Sequence, residues 1–194
     1  TDKLLSAEGN AQNDVTKADS DKYQAVKNGT GEWISANASD PVEAAIDGIP
    51  YRYLTDAVSD TAENDTILLK ENVSIDSMLT ISMAGVTLDL NNHRISASNN
   101  FEFDKGNSNS CHLINIEADN VTIKDGTLRA SDGNKHVVNV YGSRNIVLDD
   151  LVLDHTNGAT GAPLVVNGSD VTLKGDVKLI TGSNSWYGMN VDSG

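Results

Sequence analysis

From His112 onward the apolar positions of this chain recur with a spacing of 24 to 26 residues. His112-Leu113-Ile114-Asn115-Ile116, His136-Val137-Val138-Asn139-Val140, Ala162-Pro163-Leu164-Val165-Val166 and Tyr187-Gly188-Met189-Asn190-Val191 align with one another. Each of the first three is followed, five or six residues later, by a second short run: Val121-Thr122-Ile123, Ile146-Val147-Leu148 and Val171-Thr172-Leu173. Alternation of period two predicts short strands with one face inward. A repeat of this length predicts a solenoid, in which one turn cannot bury its own apolar face and stacked neighbours build a continuous core.

The pattern extends upstream. Strands are predicted at Thr66-Ile67-Leu68-Leu69, Val73-Ser74-Ile75, Leu79-Thr80-Ile81 and Val86-Thr87-Leu88-Asp89-Leu90. Ile81 to Val86 is the same five-residue step as Ile116 to Val121, so Leu79–Ile95 is one more turn. Residues 99–110 interrupt the period by about ten residues, and such insertions map to loops on one face, often a binding face. The chain therefore divides into a polar N-terminal segment (1–38), a cap (39–64) and solenoid turns (65–194). In the cap, Val42, Ala44 and Ile46 alternate as in a strand, while Asp40-Pro41 before them equally fits a helix start. Leu54, Ala57, Val58 and Thr61 lie at helical spacing with Thr55 as an N-cap, which predicts a short helix covering the open end of the first turn. No capping segment follows Tyr187–Val191, so the turns are expected to continue beyond Gly194.

Composition narrows the function classes. With 14 Lys and Arg against 28 Asp and Glu, the formal charge is −14, which argues against nucleic acid and anionic membranes as partners. The charge is compatible with an extracellular protein or with cation binding. A single cysteine, Cys111, allows no internal disulfide. No run approaches the ~18 apolar residues of a membrane span, so no membrane insertion is expected.

Gly48-Ile49-Pro50-Tyr51-Arg52-Tyr53-Leu54-Thr55-Asp56-Ala57-Val58, Asn64-Asp65-Thr66-Ile67-Leu68-Leu69 and Gly85-Val86-Thr87-Leu88-Asp89-Leu90-Asn91-Asn92-His93-Arg94-Ile95-Ser96 resemble a common opening of bacterial cell-surface domains. These are the right-handed parallel β-helix (pectin-lyase-like) domains, and Asn120–Leu128 is similar to their general turn. The resemblance covers about residues 42–194 and implies an all-β, right-handed parallel β-helix with a short N-terminal capping helix. It is loose for activity, because that superfamily spans polysaccharide lyases, glycoside hydrolases, adhesins and phage tailspikes, and shared fold does not transfer chemistry.

Turn alignment places residues in columns about 4.8 Å apart. One column reads Asp89, Lys124, Asp149, Lys174, an alternating charge ladder on the surface. A lyase reading of the same region would place a cation, usually calcium, on Asp125, Asp149, Asp150 and Asp154, with Lys124 or Arg129 as base. A carboxylate above or below each lysine would keep it protonated and unfit as a base, which favours the ladder. A second column holds Asn115, Asn139, Val165 and Asn190; stacked amides bond along the stack, or face a sugar if they point outward. His112 and His136 share a third column beside Cys111, where ordinary stacking competes with a shared transition metal. Trp186 and Tyr187 on a Gly/Ser/Asn loop are the best single pointer to a sugar face, with packing against a further turn as the alternative; Phe101 and Phe103 in the insertion share that reading.

The sequence has no nucleophile elbow, phosphate loop, dinucleotide fingerprint, paired-cysteine motif or zinc-protease helix. The expected role is a non-catalytic, extracellular, adhesin-like module that binds a glycan or host-surface ligand on a lateral face and carries no resident cofactor. The alternatives are a lyase or hydrolase acting on an acidic glycan, and a structural stalk without ligand.

Overall fold

The computed structural model describes residues 22–102 and 111–192. It is an all-β solenoid of about six turns, built as a parallel β-helix. Three runs recur in each of the five turns between Thr66 and Asp192. The first turn holds β5 (Thr66–Leu69), β6 (Val73–Ser77) and β7 (Leu79–Ile81); the second holds β8 (Thr87–Asp89), β9 (Arg94–Glu102) and β10 (His112–Ile116). In the next two turns the first two runs merge into one long strand: β11 (Thr122–Arg129) with β12 (His136–Tyr141), then β13 (Ile146–Asp154) with β14 (Ala162–Asn167). The last described turn has β15 (Val171–Lys174), β16 (Lys178–Ile180) and β17 (Met189–Asp192).

The long strands turn a corner midway. Residues 122–124 of β11 pair with β8, while residues 127–129 pair with β9. At the corner Asp125 has φ 59° and Asp150 has φ 49°, and Gly175 with φ 67° takes the same place one turn on. Short polar Asp tolerates this left-handed conformation better than a branched apolar residue, and Gly adopts it freely.

Parallel pairing in register stacks identical positions. Ile67, Leu88, Ile123 and Leu148 form one inward column, and Ile95, Leu128 and Leu153 another. All seven are fully buried. Leu173, the next member of the first column, lies in the last described turn and is 42 % exposed. Full burial of such a side chain stabilises by roughly 1.5–3 kcal/mol, so each turn depends on its neighbours.

The N-terminal region holds more strand than its pattern predicts, and two expectations, the helix N-cap and the exposure of Phe101, are not met. Within the polar segment 1–38, β1 (Tyr23–Lys27) and β2 (Trp33–Asn37) form an antiparallel hairpin. Residues 44–46 form a strand, β3 (Ala44–Ile46), whose antiparallel pairing covers the edge of β5. β3 pairs in turn with β4 (Ile49–Tyr51), which meets β1 at Tyr51 and Lys27. The edge of this sheet is thus closed by strands. A six-residue helix, α1 (Leu54–Ser59), buries Leu54 and Ala57 in the core. Its N-cap is Tyr53, not Thr55, and the Glu43 carboxylate accepts the Leu54 N–H at 2.8 Å from across the turn. Finally, Phe101 is 8 % exposed and belongs to the core cluster, so it is a packing residue and not part of a binding surface. Phe103 lies outside the described residues.

Gly126 shows how closely turns approach: a Cβ there would stand 2.5 Å from both the His93 carbonyl oxygen and the Leu90 Cβ. Gly126→Ala is therefore expected to lower stability by about 1–3 kcal/mol through overpacking. A urea melt checks this; an unchanged midpoint would mean that the turns are looser than described.

Candidate functional site

The third side of the helix is the five-stranded sheet β7-β10-β12-β14-β17. Strict alternation slips near the start of its strands. Leu113 and Ile114 both enter the core, as do Val137 and Val138. The slip leaves His112 and His136 on the outside of the sheet with Asn115 and Asn139, and all four line one groove. The groove continues past Ala162 and Val165 to Trp186, Tyr187, Asn190 and Asp192. Its two contiguous parts, about 240 and 380 Å³, share Lys135, His136 and Asn167.

Its floor is an amide ladder. The Asn139 amide donates to Asn115 Oδ1 at 2.8 Å, the Asn167 amide donates to Asn139 Oδ1 at 3.3 Å, and Asn115 donates to Glu117 Oε1 at 2.7 Å. An ionised carboxylate only accepts, so Glu117 sets the direction of the series. The expected Asn column thus bonds along the stack and also faces outward. Val165 interrupts it, and Asn167, two residues further along β14, carries it on. At the far end Asn190 donates to Asp192 at 2.7 Å.

Beside the ladder the His112 and His136 rings stack, centroids 5.0 Å apart and planes 18° off parallel. The Ala162 N–H donates to His136 Nδ1 at 3.1 Å, which makes that nitrogen the acceptor and leaves the proton on Nε2. His112 Nδ1 is buried without a partner. Burial, reinforced by the Lys135 charge, holds His112 down to about 4. Burial, then the neighbouring His112 and Lys135, holds His136 down to about 3. Both imidazoles are neutral at pH 7.

A third histidine positions the rim. His155 is fully buried; its Nε2 donates to the Lys135 carbonyl at 2.9 Å, and its Nδ1 accepts from Ser185 Oγ at 2.7 Å. It thereby joins the loops that precede β12 and β17. The Trp186 N–H donates to the Gly161 carbonyl at 2.7 Å. Held this way, Trp186 and Tyr187 remain 57 % and 59 % exposed, and Tyr141 across the groove is 64 % exposed. The Lys135 ammonium lies 5.8 Å from the Trp186 ring centroid.

The charged column lies on a different sheet. Its register is as the alignment predicts: Asp89, Lys124, Asp149 and Lys174 are successive partners. Lys124 reaches Asp89 at 2.5 Å and Asp125 at 2.6 Å, and Lys174 reaches Asp149 at 2.6 Å. These hydrogen bonds, donated to Asp125 and to Asp89, raise the Lys124 ammonium above its usual range. Arg129 is bound to Asp154 at 2.9 Å, and Asp150 accepts the Asp176 N–H at 2.7 Å. The two candidate bases and four candidate calcium carboxylates are thus spread over two runs and the corner between them, each held by a neighbour. Among the described residues no three His, Cys, Asp or Glu side chains come together as a metal cage, and no helix is long and apolar enough to cross a membrane.

No family model matches the chain, and no curated protein or solved structure matches it significantly.

Glu117, Lys135, Tyr141, Asn167 and Asp192 are groove residues that the column reading missed. Glu117, Tyr141, Asn167 and Asp192 lie two positions beyond the Asn column, on the same strand face by period-two alternation. Reading that second column would have found them.

The buried histidines predict an acid dependence. Each imidazole has a folded-state pKa below its unfolded value near 6.5, so the unfolded chain binds more protons between the two. Their contribution is complete above about pH 6.5 and is lost as pH falls toward about 4 for His112 and about 3 for His136. The slope is at most about 1.4 kcal/mol per pH unit for each ring. Thermal melts from pH 7 to pH 4 should fall steeply, and less so in His136→Gln; an identical slope in the variant would contradict the assignment.

Proposed function

We propose that this chain is a non-catalytic, pectin-lyase-like β-helix module of an extracellular or cell-surface, adhesin-like protein, and that it recognises a glycan along the outer groove of its third sheet. The observation that carries the reading is the pair Trp186 and Tyr187, held exposed at the end of a polar groove by backbone and His155 contacts. Aromatic faces take the apolar faces of sugar rings, and amides take their hydroxyls. Tyr141, on β12 between β10 and β14 and so away from the last described turn, is exposed along the same groove, which a stalk without ligand does not require. Against a lyase stands the state of its candidate bases, since Lys124 is pinned between two carboxylates and Arg129 is bound to Asp154.

The test is a glycan array with and without calcium, followed by the double variant Trp186→Ala/Tyr187→Ala. Both side chains are exposed, so stability should change by about 0.5 kcal/mol or less. Glycan affinity should fall about tenfold or more, equivalent to about 1.4 kcal/mol. Undiminished binding in the folded variant would sink this reading, as would calcium-dependent turnover of an acidic polysaccharide.

A further inference from the structure

We infer that the ligand of this groove is a neutral glycan lying along the solenoid axis, with pairs of adjacent hydroxyls seated on the amide ladder. The inference rests on the glycan reading above and names the class of glycan.

The ladder amides have hydrogen-bonding capacity to spare. A side-chain amide has two N–H donors and an oxygen with two lone pairs. Asn139 spends one N–H on Asn115 and one lone pair on Asn167; Asn115 spends one N–H on Glu117 and one lone pair on Asn139. By count one donor and one acceptor remain on each, on side chains that line the groove while only 3 % (Asn115) and 7 % (Asn139) exposed, and buried polar groups require partners. Two vicinal hydroxyls, each able to donate and accept, satisfy one amide together. Asn115 and Asn139 are direct partners on adjacent strands, so these two amides lie about 4.8 Å apart.

Glu117 and Asp192 stand at opposite ends of the groove, each tied to the amide beside it. Against them the described lining offers one ammonium, Lys135, which sits over the Trp186 ring, and no guanidinium. The whole chain carries −14. A uronate or sulfated polymer would bring repeated anions against this field without a cation for each.

Isothermal titration of the 194-residue chain separates the cases. The probes are four neutral hexaoses (cello-, xylo-, manno- and malto-) and hexagalacturonate, each with calcium and with EDTA. Salt is varied from about 0.01 M to about 1 M, which shortens the screening length from about 30 Å to about 3 Å. At least one neutral hexaose should bind, with affinity changed less than about twofold by salt or EDTA. Asn139→Ala should weaken it about tenfold; should that variant fail to fold, Asn167→Ala, half-buried at the end of the ladder, gives the same readout. Binding of hexagalacturonate alone, weakened by salt or dependent on calcium, would overturn the neutral assignment while leaving glycan recognition standing. Binding of none of the five, together with a blank glycan array, would overturn both.

Discussion

In-register parallel pairing is the constraint on which every other feature of this molecule depends. Because strands about 4.8 Å apart pair position for position, whatever type occupies a place in one turn meets the same place in the next. Apolar types give the core columns that run through Leu148 to Leu173 and through Leu153 to Leu179, acidic and basic types give Asp89–Lys124 and Asp149–Lys174, and amides give Asn115–Asn139. The imidazole stack of His112 on His136 follows from the same pairing. One geometric rule produces stability on the inside and a periodic chemical surface on the outside.

That surface is rigid for a reason that can be named. The groove floor consists of strand residues, not loop residues, and its amides are oriented in series by the Glu117 carboxylate. Its rim is made of loops, but the loops before β12 and β17 are bound to one fully buried imidazole, His155. Gly158 leaves room for that ring: a Cβ there would lie 2.2 Å from Nε2. A preorganised floor with a pinned aromatic rim lowers the ordering cost of binding, which suits recognition of a long, flexible polymer.

Most of the solenoid was legible because its period is nearly constant and its inward positions are apolar. The charged column was readable for the same reason, down to the order of its partners. Three kinds of feature were not. The hairpin Tyr23–Asn37 belongs to no repeat and is mostly polar, so its pairing partners had no pattern to reveal them. Phe101 sits at the edge of an insertion, where hydrophobicity alone does not separate a core residue from a binding one; the chain folds it inward. The groove was half visible. The slip that sends both Leu113 and Ile114 inward breaks the alternation, so His112 and Asn115 share a face that strict period two would have separated. Once that slip is known, Glu117, Tyr141, Asn167 and Asp192 fall into place as the next outward column.

The central claim is that ligand enters over the amide ladder and not over the charge ladder. The most direct measurement is a titration of the isotopically labelled chain with whichever hexaose binds, followed through its side-chain amide resonances. The account predicts that Asn115, Asn139 and Asn167 shift first and together, with the Trp186 indole, while groups around Lys124 and Lys174 stay still. Shifts centred on Asp125, Asp149 and Lys124, with the Asn series unmoved, would contradict it.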